Sequence, residues 1–251
     1  MKSAEFEISA HTLKWIALIS MTIDHIGVAL FEVFGRADLP LRAMGRIAFP
    51  MFIFLLAEGF FHTHSRPFYL LRLFLFCFIS EIPFDLAFFP TDPTLAGSRL
   101  FYPQYQNIFL TLCIGFFVIL AVENILCTME STDRLGKGVQ YALLFLCLVI
   151  LAAGMAAAQY LHSDYRAAGV LAIFVAYIAK RHGISDPMVY LLGSAVLLLV
   201  GWLEIFAFAG VLPLLLYHGK KGRTIHKWFF YLYFPGHLLA LWAIRVFLIA
   251  R

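Results

Sequence analysis

Between positions 13 and 89, apolar runs long enough to cross a bilayer are interrupted by Lys14, Asp24, His25, Arg46, Glu58, Arg72, Glu81 and Asp85. An ionisable side chain inside a bilayer costs from a few kcal/mol to about ten or more. Each of these residues therefore needs a partner, a wet cavity or a task. His25 directly follows Asp24, and a histidine beside a carboxylate is the usual composition of a general base. The carboxylate fixes the imidazole tautomer and stabilises the imidazolium. Adjacent residues on a helix point about 100° apart, so Asp24 is also free to serve a different partner. Lys14 precedes His25 by eleven positions, close to three turns, which puts the two on one face about 16 Å apart along the axis. At that depth Lys14 can meet a phosphate or snorkel to water.

The second apolar run, LRAMGRIAFPMFIFLLAEGFF, places Arg46 at one end and Glu58 near the other. Pro50 removes a backbone donor and frees the Arg46 carbonyl, so a kink is expected there. In the third run Glu81 and Asp85 are i, i+4 neighbours, an unfavourable arrangement for two ionised carboxylates. A shared proton, Arg46 or a bound cation would offset the repulsion. Asn107 opens the fourth run, and His237 follows Pro235 and Gly236 in the last, either as a second functional histidine or in a turn leading into the helix. Asp164 and Tyr165 are expected as plain loop residues. The HTHS stretch at 62–65 offers two histidines that do not share a helix face, and no HExxH, GxSxG or phosphate-loop pattern occurs, so no metal site is expected.

The elements that must position these residues follow from composition. Of 251 residues, 62% are hydrophobic and only 14% charged, against about a quarter charged in a soluble domain. The expectation is an all-α, polytopic transmembrane helix bundle forming one domain over 1–251, with about nine spans (eight to ten). Their approximate ranges are 13–34, 43–62, 67–89, 106–127, 139–161, 166–180, 187–203, 204–217 and 228–249. The eighth is short enough to be a half-helix or a steeply packed return. Loop Lys and Arg then divide eleven (Lys2, Lys14, Arg66, Arg134, Lys137, Lys180, Arg181, Lys220, Lys221, Arg223, Lys227) against six (Arg36, Arg42, Arg46, Arg99, Arg166, Arg251). That bias sets the N-terminus in the cytoplasm. It puts Lys14 and Glu58 toward the inside, and Asp24, His25, Arg46, Glu81, Asp85 and Asn107 from mid-membrane outward, around a polar cavity. The net charge of +4 is what such loops give and does not call for nucleic acid. Cys77, Cys113, Cys127 and Cys147 have no disulfide or CxxC spacing. No cleavable signal peptide is expected, since the first run carries Asp24 and His25 and no small-residue cleavage site follows it.

The stretches LKWIALISMTIDHIG, RAMGRIAFPMFIFLLAEGFFHT, YLLRLFLFCFISEIPFDLAF, QNIFLTL and FFYLYFPGHLLALW resemble the TraX family, named for the conjugative-plasmid protein required for N-terminal acetylation of F-type pilin. The resemblance covers nearly the whole chain and is densest over 13–112. The family is in turn distantly similar to the membrane acyltransferase-3 and heparan-glucosaminide acetyltransferase groups. In acyltransferase-3 proteins a basic residue and a histidine separated by ten residues in the first span are functional. Lys14 and His25 have that spacing, with Lys in place of the usual Arg, which loses the bidentate fork. The resemblance implies a bacterial inner-membrane enzyme. Its donor is acetyl-CoA, entering from the cytoplasm, and its acceptor is an amine or hydroxyl of a protein, glycan or lipid. His25 would be the base, with Asp24, Glu81 and Asp85 around it. Lys14 and Arg72, with Arg66, would meet coenzyme A phosphates, while Arg46, Asn107 and His237 contact substrate. The same buried groups would also suit a proton- or cation-coupled transporter. A non-catalytic assembly subunit would leave them without a task.

Overall fold

The computed structural model describes residues 7–30, 38–89, 100–132, 135–222 and 226–249. Of the loop charges counted above, Lys2, Arg36, Arg99, Arg134, Arg223 and Arg251 lie outside the described residues, as do positions 31–34 of the first expected span. Among the described residues the chain is helical and has no strand: α1 Ala10–Ala29, α2 Asp38–Gly45, α3 Ala48–His62, α4 Arg66–Phe88, α5 Ile108–Ser131, α6 Lys137–Tyr160, α7 Arg166–Arg181 and α8 Asp186–Leu197. A 3-10 helix, Trp202–Gly210, then leads into the single turn α9, Val211–Leu214, and α10, Lys227–Ile249, closes the bundle.

α3 sits in the middle, packed against α1, α7 and α8. Its Met51, Ile53, Phe54 and Phe60 are fully buried, meeting a core that also includes Phe116 and Ile119 of α5 and Ile173 and Tyr177 of α7. Close approach depends on small residues: a Cβ at Gly115 would collide with Ile173, and one at Gly154 with Val118. Glycine at such contacts lets helix backbones approach where no hydrophobic drive separates protein from lipid. The opposite surface is apolar too. Tyr141, Phe145 and Leu148 on α6 are each more than 60% exposed, which is what a lipid-facing helix presents.

Asp38–His62, Ile108–Ser131, Lys137–Tyr160 and Trp228–Leu248 are long and apolar enough to cross a membrane. That is fewer than the nine expected spans, for identifiable reasons. α7 has 16 residues and α8 has 12, and residues 202–217 are a 3-10 helix plus one turn rather than a full helix. α1 and α4 interrupt their apolar sequences with inward-facing ionisable groups. The 202–217 stretch is nevertheless a packed return. Glu204 meets Arg46 near the start of α3, whereas Tyr217 donates to Glu58 near its end, at 3.0 Å.

The bundle thus has two polar ends. Lys14, Glu58, Arg66, Arg72, Glu123, Lys180 and Arg181 collect at one, tied by Lys180–Glu58 (2.5 Å), Arg181–Glu123 (2.9 Å) and Arg66–Glu123 (3.6 Å) ion pairs. Asp24, His25, Arg42, Arg46, Glu81, Asp85 and Asn107 collect at the other. At that second end Asn107 caps α5: its side-chain oxygen accepts from the Phe109 N–H at 3.0 Å, and its amide donates to the Cys77 carbonyl (2.8 Å) and to the Glu81 carboxylate. Replacing Asn107 with Ala removes the cap and strands a buried carboxylate. Asn107→Ala should therefore lose about 1–3 kcal/mol of stability, read as an earlier thermal transition of the purified protein in detergent. An unchanged transition would mean that the cap does not hold α4 to α5.

Candidate active site

The polar end around His25 is organised by a buried arginine. The helix breaks at Arg46–Ile47, four residues before Pro50, where the missing proline donor frees the Arg46 carbonyl. The break turns the Arg46 guanidinium inward. Its Nη2 donates to Asp24 Oδ1 at 2.5 Å, its Nη1 to Glu204 Oε1 at 2.9 Å and Tyr165 Oη at 3.3 Å, and its Nε to the Arg42 carbonyl at 3.1 Å. Arg42 adds a second cation on Asp24 Oδ2 at 3.0 Å. Two guanidinium groups thus face two carboxylates, and Nε and both terminal nitrogens of Arg46 donate. Gly45 makes room for the arrangement, because a Cβ there would overlap the Asp24 side chain.

His25 does not pair with Asp24. The two side chains leave α1 in different directions, as adjacent helical residues must, and His25 Nδ1 instead meets His237 Nε2 at 2.7 Å with the rings stacked. Pro235 and Gly236 lie inside α10 rather than in a turn before it, which carries His237 onto the face opposite His25. His237 Nδ1 is 2.9 Å from the Tyr233 carbonyl. A carbonyl only accepts, so His237 Nδ1 carries the proton and its Nε2 holds a lone pair. That lone pair accepts from His25 Nδ1–H. The neutral pair therefore has one tautomer, and the unprotonated nitrogen of His25 is Nε2. Two rings give His25 the oriented basic nitrogen that a carboxylate was expected to supply.

His25, Asp24, Arg42 and Arg46 line a cavity of about 280 Å³, together with Phe49, Phe84, Phe88, Tyr105, Asp164 and Tyr165. The last two are more than loop residues. The 162–166 turn is pinned to the start of α5 by Gln106 N–H to the His162 carbonyl (2.9 Å) and Asp164 N–H to the Gln106 carbonyl (3.0 Å), and Thr111 donates to the Asp164 carbonyl. His162, Tyr165 and Arg166 all have positive φ, between 47° and 59°. That conformation is strained for residues with a Cβ and clusters at functional sites. It stacks Tyr165 on Phe49, with centroids 4.0 Å apart, and aims Asp164 at Tyr105, whose hydroxyl donates at 2.7 Å. Burial pushes the Asp164 carboxyl above its ordinary range, partly countered by that hydrogen bond.

Glu81, Asp85 and Asn107 are not among the residues that line this cavity. Arg46 does not reach the acid pair; Glu81 is held by Asn107, and Asp85 accepts from the Tyr102 N–H at 2.7 Å. Both amide donors of Asn107 are engaged, by Cys77 and Glu81, and four of the five N–H groups of Arg46 are taken by Asp24, Glu204, Tyr165 and the Arg42 carbonyl. No grouping of His, Cys, Asp and Glu among the described residues would hold a metal. Lys14 and Arg72 lie at the other end and line a second cavity of about 320 Å³ with Tyr69, Phe230 and Tyr231. The two cavities share Met21, Phe52, Ile108 and Phe234 as lining. They therefore lie next to each other. Glu58 is taken up by Lys180 and Tyr217.

Arg42 entered only as a loop charge, and Glu204 is the single charged residue of the apolar stretch 187–217. Glu204 was legible by one argument: a carboxylate in that run must have a cation, and Arg46 is the buried cation available. Removing Arg46 would leave Asp24 and Glu204 facing each other's charge in a buried site. Arg46→Ala should cost about 3–5 kcal/mol, read as unfolding at lower denaturant concentration. Arg46→Ala combined with Glu204→Gln should recover part of that loss, and a strictly additive double variant would exclude the coupling.

The family model described as TraX protein matches residues 9–245. The chain is also 31% identical over 263 aligned positions to a protein of Dichelobacter nodosus described as "Probable fimbrial assembly protein FimC, serogroup H1", covering 98% of this chain and 99% of that protein. No solved structure matches. The break at Arg46–Ile47, the His25–His237 pair and the shared cavity wall all fall within the matched residues, and the chain belongs to the TraX family.

Proposed function

We propose that this chain is a membrane acyltransferase that moves acetyl from acetyl-CoA to an amine or hydroxyl acceptor, with His25 as general base. The observation that carries this reading is the fixed tautomer of the His25–His237 pair, which leaves an unprotonated His25 nitrogen at a cavity that adjoins a second, basic one. Donor phosphates would sit toward Lys14 and Arg72, and the thioester would reach the wall formed by Met21, Phe52, Ile108 and Phe234. The acceptor would occupy the His25 cavity. His25 Nε2 takes the acceptor's proton as the acceptor's nitrogen or oxygen bonds to the thioester carbon. The carbon–sulfur bond then breaks, and the departing thiolate takes that proton from His25 Nε2, which restores the base. His237 shares the charge that develops on His25 through its hydrogen bond. The Arg46 cluster keeps α1, α2 and the 3-10 helix fixed around that event.

The membership and the relative's description as a fimbrial assembly protein support a pilin-type subunit as acceptor. An envelope glycan or lipid would fit the same chemistry. The expected setting is the bacterial inner membrane, with the Lys14 end cytoplasmic, as the loop charges favour. A transporter is the second reading, favoured by one observation: Glu81 Oε1 and Asp85 Oδ1 are buried and have no hydrogen-bond partner among the described residues.

Purified protein in detergent with acetyl-CoA and a pilin-derived peptide should release free thiol. His25→Ala should lower the rate by about 10²–10⁴-fold, the usual worth of a general base, with its thermal transition retained. His237→Ala should lower it less. Absence of thiol release from the unaltered protein with any amine, glycan or lipid acceptor would defeat the enzyme reading. Acetyl-CoA-independent proton flux in proteoliposomes would favour the transporter.

A further inference from the structure

The HGKKG stretch, residues 218–222, does not join the site described above, yet it is built into the Lys14 end of the bundle. Gly219 and Gly222 have φ of 81° and 76°, a backbone region open to glycine and costly for other residues. These turns fold the loop over the start of α1. The carbonyls of Lys220 and Lys221 accept from the N–H groups of Ala10 (2.7 Å) and His11 (3.2 Å), and a Cβ on Gly222 would overlap Ser9. Between loop and helix lies a third cavity of about 260 Å³, lined by His11, Lys14, Glu58, His62, Tyr217 and Lys221 among others. It shares Lys14, Leu55, Gly59, His62 and Phe230 with the second cavity. The three cavities therefore follow one another in a row, from this bowl through the second cavity to the His25 cavity.

The bowl is predominantly basic: His11, Lys14, His62 and Lys221 line it against one carboxylate, Glu58, which is held by Lys180 at 2.5 Å while Lys180 also pairs with Asp186 at 2.5 Å. Neither Lys14 nor Lys221 forms an ion pair with Glu58. His11 Nε2 accepts from the Trp15 indole N–H at 3.0 Å. Indole only donates, so His11 carries its proton on Nδ1 and has a donor to offer. We propose that the bowl formed by loop 218–222 against the start of α1 binds the phosphate groups at the far end of the acyl donor, while the donor's arm lies in the second cavity. This rests on the acyltransferase reading, and it adds Lys221, His11 and the loop to the donor site. Lysine suits it, because a phosphate cluster presents charge in several directions and a flexible point charge can follow it. Phosphate of a lipid headgroup has the same chemistry, and binding to lipid vesicles separates the two sources.

The test is equilibrium binding of coenzyme A to the full chain in detergent, together with the dependence of thiol release on acetyl-CoA. Lys221→Gln should weaken coenzyme A binding about tenfold, the worth of one charge-assisted phosphate contact. It should raise KM for acetyl-CoA similarly with kcat retained. His11→Gln should weaken binding less. Lys137→Gln, on an exposed residue of α6 that lines none of these cavities, should leave both unchanged. Pantetheine, which lacks the phosphates, should bind the unaltered and Lys221→Gln proteins equally. Equal coenzyme A affinity for the unaltered and Lys221→Gln proteins would overturn the bowl and leave the enzyme reading standing. No coenzyme A binding by the unaltered protein would overturn both. Lys221-dependent binding to vesicles containing phosphatidylglycerol, with none of coenzyme A, would assign the bowl to lipid instead.

Discussion

Arg46 joins three parts of the chain through one side chain: the polar middle of α1, the break between α2 and α3, and the 3-10 helix that follows α8. A guanidinium taken out of water is tolerated only if its donors are used, and here Asp24, Glu204, Tyr165 and the Arg42 carbonyl use them. The converse also applies: Glu204 pairs with Arg46 at 2.9 Å, and Asp24 is held by Arg46 together with Arg42. The cluster is thus a weak source of net stability and a strong source of specificity. Any slippage of α1 against α3 would leave a buried charge without its counterion. The close seat of Gly45 on Asp24 adds a steric lock to the electrostatic one.

With α1 fixed in that way, the position of His25 is fixed as well. The histidine occupies the neighbouring direction on the same helix turn and meets His237 from α10. The tautomer is passed along a chain of hydrogen bonds that begins at a backbone carbonyl, the Tyr233 C=O. A backbone carbonyl cannot take up a proton at any accessible pH, so the direction of the chain is set by the fold rather than by a titrating partner. This differs from an Asp–His arrangement, in which the carboxylate also carries the charge that balances the imidazolium. In the His25 cavity Asp24 is already matched to Arg42 and Arg46, and Asp164 accepts from Tyr105.

The two ends of the bundle are chemically distinct, and the apolar middle connects them. One end is a set of ion pairs around Glu58 and Glu123, with a basic bowl beside it; the other is the Arg46 cluster and the histidine pair. Large side chains, Phe52 and Phe234 among them, separate the cavities at mid-depth. An arm threaded from the basic end would bring a reactive group to that wall without opening a continuous water path. Long flexible substrates suit this geometry, because the charged terminus remains at the interface while only the arm enters the bundle.

Composition alone established a helical membrane protein, since 14% charged residues cannot cover a soluble globule of 251 residues. Local chemistry established the break before Pro50 and the set of buried groups that had to be explained, because a helix backbone and a desolvated charge obey rules that need no tertiary knowledge. Partner choice was not legible. Asp24 and His25 are neighbours in sequence and diverge in space, while His25 and His237 are separated by 211 residues and touch. Asp164 and Tyr165 read as a loop because the strained turn that aims them depends on contacts with Gln106 and Thr111. Spacing along one helix fixes direction and depth, and from these Lys14 and His25 could be placed relative to each other. Which helix stands opposite, and therefore which proton or counterion each group receives, is decided only when the bundle packs.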